Sequence, residues 1–132
     1  MTKENQITAQ ESKPKMEDLE VLLKLTSAHE YNLLEKQAKS LLKNFPKNTI
    51  LLNFMAFAYI GRKQENEAIG FYNDALKINP SSGDTHNNLG SLHKQKQDYD
   101  QAINYFEKAV KINPKHLAAN HNLTDIYRIQ KR

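Results

Sequence analysis

The chain has 132 residues, of which 39% are hydrophobic, and it carries a formal net charge of +4. It has no cysteine, which excludes disulfide bonds and cysteine-ligated metal ions, and no apolar run long enough to cross a bilayer. Glycine is too rare for a fold of sheets and tight turns. Lysine and arginine are interleaved with acidic residues, so no basic stripe for nucleic acid is predicted.

The first 15 residues are predicted to be a disordered tail. The segment is almost entirely polar and contains Pro14, so it cannot bury enough apolar surface to offset the entropy lost on ordering. It also lacks the apolar core of a secretory signal. Without a signal or a membrane span in the sequence, a cytoplasmic location is expected.

Two helices are predicted between residues 16 and 48. The first ends near residue 27 and the second ends before Pro46, and apolar residues recur at helical spacing in both. These residues are Leu19, Leu22, Leu23 and Leu25 in the first helix, and Tyr31, Leu34, Ala38, Leu41 and Leu42 in the second.

Five further helices are predicted in the rest of the chain. They cover residues 49–62, 65–78, 83–96, 98–112 and a last segment from about residue 115. Pro80 and Pro114 end two of them, because proline lacks the amide hydrogen and disfavours helix in the preceding residue. Ser81 or Ser82 is expected to cap the helix that follows Pro80.

A period of 34 residues organises these helices. Pro46, Pro80 and Pro114 are 34 residues apart, the tetrapeptide Lys-Ile-Asn-Pro precedes two of the three positions, and Tyr72 recurs as Phe106. Similarity at a fixed period indicates one pair of helices that is stacked several times.

The repeats resemble the tetratricopeptide repeat. Its pattern is an aromatic residue, Leu-Gly and Tyr on the first helix, followed by Ala, Phe and Pro on and after the second. The matching positions are Leu52, Met55, Ala56, Tyr59, Ala68, Tyr72 and Pro80 in one repeat, and His86, Leu89, Gly90, His93, Ala102, Phe106 and Pro114 in the next. The resemblance implies an all-α, right-handed α-solenoid of antiparallel helix pairs with about three and a half repeats. These are a degenerate repeat at 16–48, repeats at 49–82 and 83–116, and a terminal helix at 117–132.

The terminal helix has two interpretations. Asn120 and Thr124 are polar where an earlier repeat has Leu52 and Ala56, as expected of a helix that caps an array. Alternatively, the chain is a fragment and another helix follows. The cap is favoured.

No catalytic motif is found in the sequence. It contains no glycine-rich phosphate loop, no His-Glu-x-x-His and no nucleophile elbow. His86 and His93 are two helical turns apart and are predicted to pack in a helix interface rather than to bind a metal ion. No catalysis, cofactor or metal ion is therefore expected.

The resemblance also implies where a partner binds. In tetratricopeptide arrays the first helix of each pair lines a concave groove that binds peptides. The residues at the matching positions form the candidate site, which comprises Asn53, Phe54, Phe57, Asn87, Asn88, Ser91, Asn122 and Asp125. A protein or peptide partner is expected, and neither nucleic acid nor a membrane.

Two asparagines in this groove resemble a pattern of one branch of the family. Asn88 and Asn122, each followed by leucine, are similar to the asparagine rows of O-linked N-acetylglucosamine transferase arrays, where amide side chains form a ladder that holds an extended peptide backbone. Phe54 interrupts the ladder in the preceding repeat. The alternative is that these amides are solvated or bond the adjacent turn.

Chaperone-binding members of the family instead hold a C-terminal carboxylate with basic residues. The corresponding basic positions here are Asn53, Ala118 and Asn122, so capture of a carboxylate is not expected. Phe54 and Phe57 make one end of the predicted groove apolar, which suits a partner with an apolar anchor.

The predicted function is that of an adaptor or scaffold that binds a peptide or partner surface. One alternative is the N-terminal, substrate-recruiting part of a bacterial glycosyltransferase or sulfotransferase, because Phe45-Pro46 followed by Asn-Leu-Gly repeats is similar to such arrays. A second alternative is weak self-association through Leu123, Tyr127 and Ile129 of the terminal helix.

Overall fold

The computed structural model describes residues 13–131, and this part of the chain consists of seven α-helices and their connections, without a β-strand. The helices are α1 (Met16–Ser27), α2 (Tyr31–Asn44), α3 (Thr49–Gly61), α4 (Glu65–Ile78), α5 (Gly83–Gln95), α6 (Tyr99–Ile112) and α7 (Leu117–Gln130). The fold class is therefore confirmed as an all-α helical repeat. The disordered tail was predicted for residues 1–15, of which residues 1–12 lie outside the described part of the chain.

The 34-residue period extends to the backbone of the turns inside the helix pairs. His29, Lys63 and Gln97 each adopt a left-handed conformation, with φ of 57°, 62° and 61°. One residue later, the amide of Glu30, Gln64 or Asp98 donates to the carbonyl five residues before it. These are the features of a Schellman turn, which satisfies carbonyl groups at a helix end. The first pair is degenerate in side chains but has the same turn as the others.

The caps between the pairs follow the same period. The side chains of Asn48, Ser82 and His116 accept hydrogen bonds from the backbone amides of Leu51, Thr85 and Ala119, respectively. Such side-chain acceptors satisfy amides that have no partner inside the helix. Of the two serines predicted as caps, Ser82 is the one that caps α5. The histidine cap of α7 was not predicted, because histidine is not among the residues usually expected there.

The chain divides into two compact units at the bond between Ile78 and Asn79. We call the part with α1–α4 the N-terminal unit and the part with α5–α7 the C-terminal unit. In the N-terminal unit, α2 packs against α1 and α3, and α4 packs against α3. The fully buried side chains in its core include Leu22, Leu34, Ala38, Leu51 and Ala58.

One prediction for the first helix is wrong. Leu23 was placed in the apolar stripe that marks α1, but 56% of its surface is exposed, whereas its neighbour Leu22 is completely buried. Adjacent residues on a helix point about 100° apart, so they cannot share a narrow stripe. Leu23 therefore belongs to another face of α1.

The core of the C-terminal unit is built around Phe106. This ring is completely buried together with Ala102 and Ala109 of α6 and Ala119 and Ile126 of α7. It also lies directly on Gly90 of α5, where an added Cβ would come within 2.6 Å of a ring atom. The glycine therefore lets α5 and α6 approach closely.

The helices are short relative to a bilayer. No helix within residues 13–131 is both long enough and apolar enough to cross a membrane.

Candidate functional site

In the N-terminal unit, the predicted site residues Asn53, Phe54 and Phe57 lie on α3. The ring of Phe57 is 38% exposed and its centre is 6.2 Å from that of Tyr31, while Phe54 is partly buried against the core. Ile50, one turn before Asn53, is 50% exposed. Since α3 contains no charged residue, these side chains give one of its sides an apolar surface.

Helix α1 continues this surface with residues that the sequence analysis missed. The positions 34 residues before Ile50, Asn53, Phe54 and Phe57 are Met16, Leu19, Glu20 and Leu23. They are spaced by three, one and three residues, so they share one side of α1. Met16 is 75% exposed, and Leu23 is the exposed leucine already described.

We call these side chains of α1 and α3 the apolar face. It comprises Met16, Leu19, Leu23, Ile50, Phe54 and Phe57. The signal that would have revealed its first half was the 34-residue period carried back by one more repeat, which the poor side-chain match of residues 16–48 obscured.

In the C-terminal unit, three of the predicted site residues join one hydrogen-bonded group. Asn122 of α7 donates from Nδ2 to Oδ1 of Asn87 on α5 at 3.1 Å. Lys94 of α5 extends its ammonium to Oδ1 of Asn122 and to Oδ2 of Asp125, both at 3.4 Å. We call Asn87, Lys94, Asn122 and Asp125 the polar network. It links α5 to α7 along the side that carries the predicted site.

The polar network changes the expected role of Asn122. Both ends of its amide are already engaged within the protein, so it has less capacity to hold a peptide backbone than a ladder requires. Asn88 and Ser91 differ from it. Both are half-buried, and no hydrogen bond to their side chains is found within residues 13–131. Of the two asparagines of the predicted ladder, Asn88 is therefore the one whose amide is not engaged within residues 13–131.

Asp125 lies beside several nitrogen-bearing side chains. Besides Lys94, Nε2 of His121 lies 3.4 Å and a guanidinium nitrogen of Arg128 lies 3.9 Å from its carboxylate. The charges of Lys94 and Arg128 are balanced locally by this acid, so this side of the C-terminal unit is polar without being strongly basic.

A second group of polar side chains fastens α2 to α3 in the N-terminal unit. The Tyr59 hydroxyl donates to Oε1 of Glu35 at 2.9 Å, and Arg62 forms an ion pair with the same carboxylate. The Arg62 guanidinium also lies 4.6 Å from the centre of the Tyr59 ring. Burial raises the pKa of Glu35, but the hydrogen bonds from Tyr59 and Arg62 outweigh it and hold that pKa below its ordinary value. The same bond to Glu35 raises the pKa of Tyr59.

The histidines of α5 pack as predicted. Both rings lie on Tyr105 of α6: His93 stacks on it at 5.4 Å between ring centres, and His86 lies at 6.2 Å. Nε2 of His86 donates to the Pro80 carbonyl at 3.0 Å. Within residues 13–131, no group of three or more histidine or acidic side chains is arranged to hold a metal ion.

The terminal helix α7 is joined to the preceding pair. Leu123 packs against the core of the C-terminal unit, and the half-exposed Tyr127 donates from its hydroxyl to Glu107 of α6 at 3.1 Å. Leu123, one of the residues predicted for self-association, is therefore partly buried within the C-terminal unit.

Two models of the tetratricopeptide repeat match the chain, over residues 51–82 and 83–116. Together they cover half of its 132 residues. No curated protein matches the chain.

Several solved structures have a similar fold. The Sgt2 TPR domain from Aspergillus fumigatus has 21% identity, and the match has a TM-score of 0.75 and covers 89% of this chain and 82% of that one. The first TPR domain of Spaghetti (RPAP3), bound to the HSP90 peptide SRMEEVD, has 20% identity, a TM-score of 0.73 and coverage of 86% and 90%. The second TPR domain of human RPAP3, in complex with the HSP70 peptide SGPTIEEVD, has 15% identity, a TM-score of 0.71 and coverage of 90% and 97%.

Proposed function

Because the chain belongs to the tetratricopeptide repeat family, we propose that it is a protein-interaction module. It binds a peptide or a partner surface on the first helices of its repeats and has no catalysis of its own. The observation that carries the proposal is the apolar side of α3, where Ile50 and Phe57 stay exposed on a helix without a charged residue. Exposed apolar side chains that cluster together often mark an interaction surface, whereas exposed apolar side chains that are scattered singly do not.

The similar structures support a peptide partner in general. Two of them hold peptides from HSP90 and HSP70. Those peptides end in two glutamates, a valine and an aspartate. In this chain Lys94 is paired with Asp125 and positions 53, 118 and 122 carry no base. We therefore expect the chain to bind partners of a different chemistry from these acidic peptides.

The test is affinity capture with the purified protein, followed by mass spectrometry and by titration of each captured protein. The site variants are Phe57→Ala and Asn88→Ala. The matched control is Leu33→Ala, which removes a side chain of similar exposure from α2, a second helix of its pair. Circular dichroism checks that each variant keeps its helices.

The expected result is a partner that the wild type and Leu33→Ala bind equally and that a site variant binds at least about tenfold more weakly, since truncated anchor residues commonly cost that much. Equal binding by all variants would place the binding surface on other helices. Titration with SRMEEVD provides a second measurement, with no binding expected below about millimolar concentration. Tight binding of that peptide would contradict the expectation about partner chemistry.

A further inference from the structure

The side of α1 that carries Met16 and Leu23 also carries a carboxylate, that of Glu20. Glu20 occupies the position of α1 that corresponds to Phe54 of α3, and its side chain is exposed. Glu17 and Asp18 lie in the first turn of α1, where carboxylates favour the helix dipole, but Glu20 lies beyond it. Within residues 13–131, no ion pair or hydrogen bond engages the Glu20 side chain.

The position of this carboxylate restricts what can cover the face. A partner that buries Met16 and Leu23 must also take Glu20 out of water, because the three residues share one side of α1. A buried carboxylate without a partner is costly, and a cation held beside it offsets much of that cost. Lys24, one turn after Glu20, is itself exposed and makes no ion pair with it within residues 13–131. An occupant that brings both apolar side chains and a positive charge of its own is therefore favoured.

We propose that the apolar face binds an amphipathic partner segment whose apolar anchors flank a lysine or arginine that pairs with Glu20. This inference rests on the proposed function. Acidic segments are rejected at the same place, since they would oppose a carboxylate in an apolar surrounding.

The net charge of the chain makes the proposal unusually easy to test. At +4, the protein as a whole attracts acidic peptides and repels basic ones. A preference for a basic peptide thus cannot come from the net charge of the protein. It would instead indicate a carboxylate at the binding surface.

The probes are three fluorescein-labelled, helix-forming peptides of about 12 residues with leucines at the same positions and with lysine, glutamine or glutamate at the remaining ones. Their affinities are measured by fluorescence anisotropy with the full chain at about 0.15 M salt, where distant charges are screened. The expected order is lysine tightest and glutamate weakest, with about fivefold or more between successive peptides.

Variants then assign the preference to Glu20. Glu20→Gln should bring the lysine and glutamine peptides to equal affinity, and Glu20→Lys should reverse the order. The control Glu67→Lys makes the same change of charge at an exposed position of α4 and should keep the wild-type order. Leu23→Ser combined with Phe57→Ser should weaken all three peptides at least about tenfold, whereas Leu33→Ser should not.

The alternative outcomes separate this inference from the proposed function. Equal affinity for the three peptides, still weakened by Leu23→Ser combined with Phe57→Ser, would overturn the role of Glu20 but leave an interaction module. Failure of all three peptides to bind would contradict the proposed amphipathic partner segment. The capture experiment with Asn88→Ala would still test the proposed function as an interaction module. Sedimentation that shows a dimer dissociated by Leu23→Ser would identify a second copy as the occupant and overturn the proposal.

Discussion

The N-terminal and C-terminal units share one repeat period, but the exposed sides of their first helices are apolar in one and polar in the other. Their shared features are the Schellman turns, the caps at 34-residue intervals and a large ring among small residues, Tyr72 in one and Phe106 in the other. Their first helices differ. In the N-terminal unit, the exposed side is the apolar face, whereas in the C-terminal unit the corresponding side is amide-rich and tied together by the polar network.

This difference shows which positions of a repeat are constrained by the fold. The turns, caps and packing positions must be filled in a particular way for neighbouring helices to stack. The outward side of the first helices is not needed for stacking, so its chemistry is free to vary with the partner. The fold alone therefore does not determine the function. In the function proposed above, it is the exposed residues of α1, α3, α5 and α7 that select the partner.

The largest expected effect concerns the equivalence of the two core rings. Phe106→Ala removes a completely buried ring, and it should lower the free energy of unfolding by about 3–5 kcal/mol. Tyr72→Ala should cost a similar amount, because Tyr72 is almost as deeply buried. Urea unfolding followed by circular dichroism measures both. A loss below about 1 kcal/mol at either position would show that the two rings are not equivalent.

The next effect concerns glycine at a close helix contact. Gly90→Ala places a Cβ 2.6 Å from the buried Phe106 ring, and overpacking should cost about 1–3 kcal/mol even after the gain in helix propensity. Gly70→Ala is the matched control, since no atom lies within 4 Å of its added Cβ. It should stabilise the protein by about 0.5–1 kcal/mol.

Both glycine variants are measured by thermal and urea unfolding. If Gly90→Ala were as stabilising as Gly70→Ala, the contact between α5 and α6 would have to be looser than the structure shows.

A smaller, pH-dependent effect is expected in the N-terminal unit. Because the pKa of Glu35 is lowered in the folded state from its ordinary value of 4.5, its ionised form stabilises the fold. This contribution is fully present above the unfolded pKa and is lost as the pH falls through the lower, folded value. Glu35→Gln should therefore reduce stability by about 1 kcal/mol at pH 7 and make little difference at pH 2–3.

Urea unfolding at several pH values measures this difference. Glu67→Gln serves as a control, because Glu67 is exposed on α4. A loss from Glu35→Gln that stays constant down to pH 2 would show that shape, rather than charge, is responsible.

The smallest effect separates the two asparagines of the predicted ladder. Asn122→Ala breaks its bonds to Asn87 and Lys94 and should cost about 1 kcal/mol. Asn88→Ala breaks no bond within the described chain and should change stability by less than about 0.5 kcal/mol. Chemical unfolding of both variants under one condition gives the comparison. Equal losses would mean that Asn88 also supports the fold.

Much of the fold could be predicted because it depends on local signals. The prolines, the helical spacing of apolar residues and the recurrence of Tyr72 as Phe106 placed the seven helices of residues 13–131 to within a few residues. The exception was Leu23, whose place depends on which side of α1 faces α2. A run of leucines in the sequence does not contain that information, because every leucine satisfies an apolar stripe equally well.

The candidate site was predictable only in part. Its positions on α3, α5 and α7 came from the register of the repeat, and they stay a prediction as a binding site. The pairing of Asn122 with Asn87 and Lys94 could not be predicted, because it joins residues about 30 positions apart whose rotamers depend on packing. Met16 and Leu23 were missed because the first repeat matches the side-chain pattern poorly.

The sequence by itself determined the repeat period, the helices and the small and large residues of the core, since each of these is set by neighbours along the chain or by a fixed spacing. The tertiary structure alone decided which apolar side chains stay exposed, which amides are engaged and where Glu20 stands among them. Exposure and pairing are properties of helices packed side by side, and they arise only when residues distant in sequence come together.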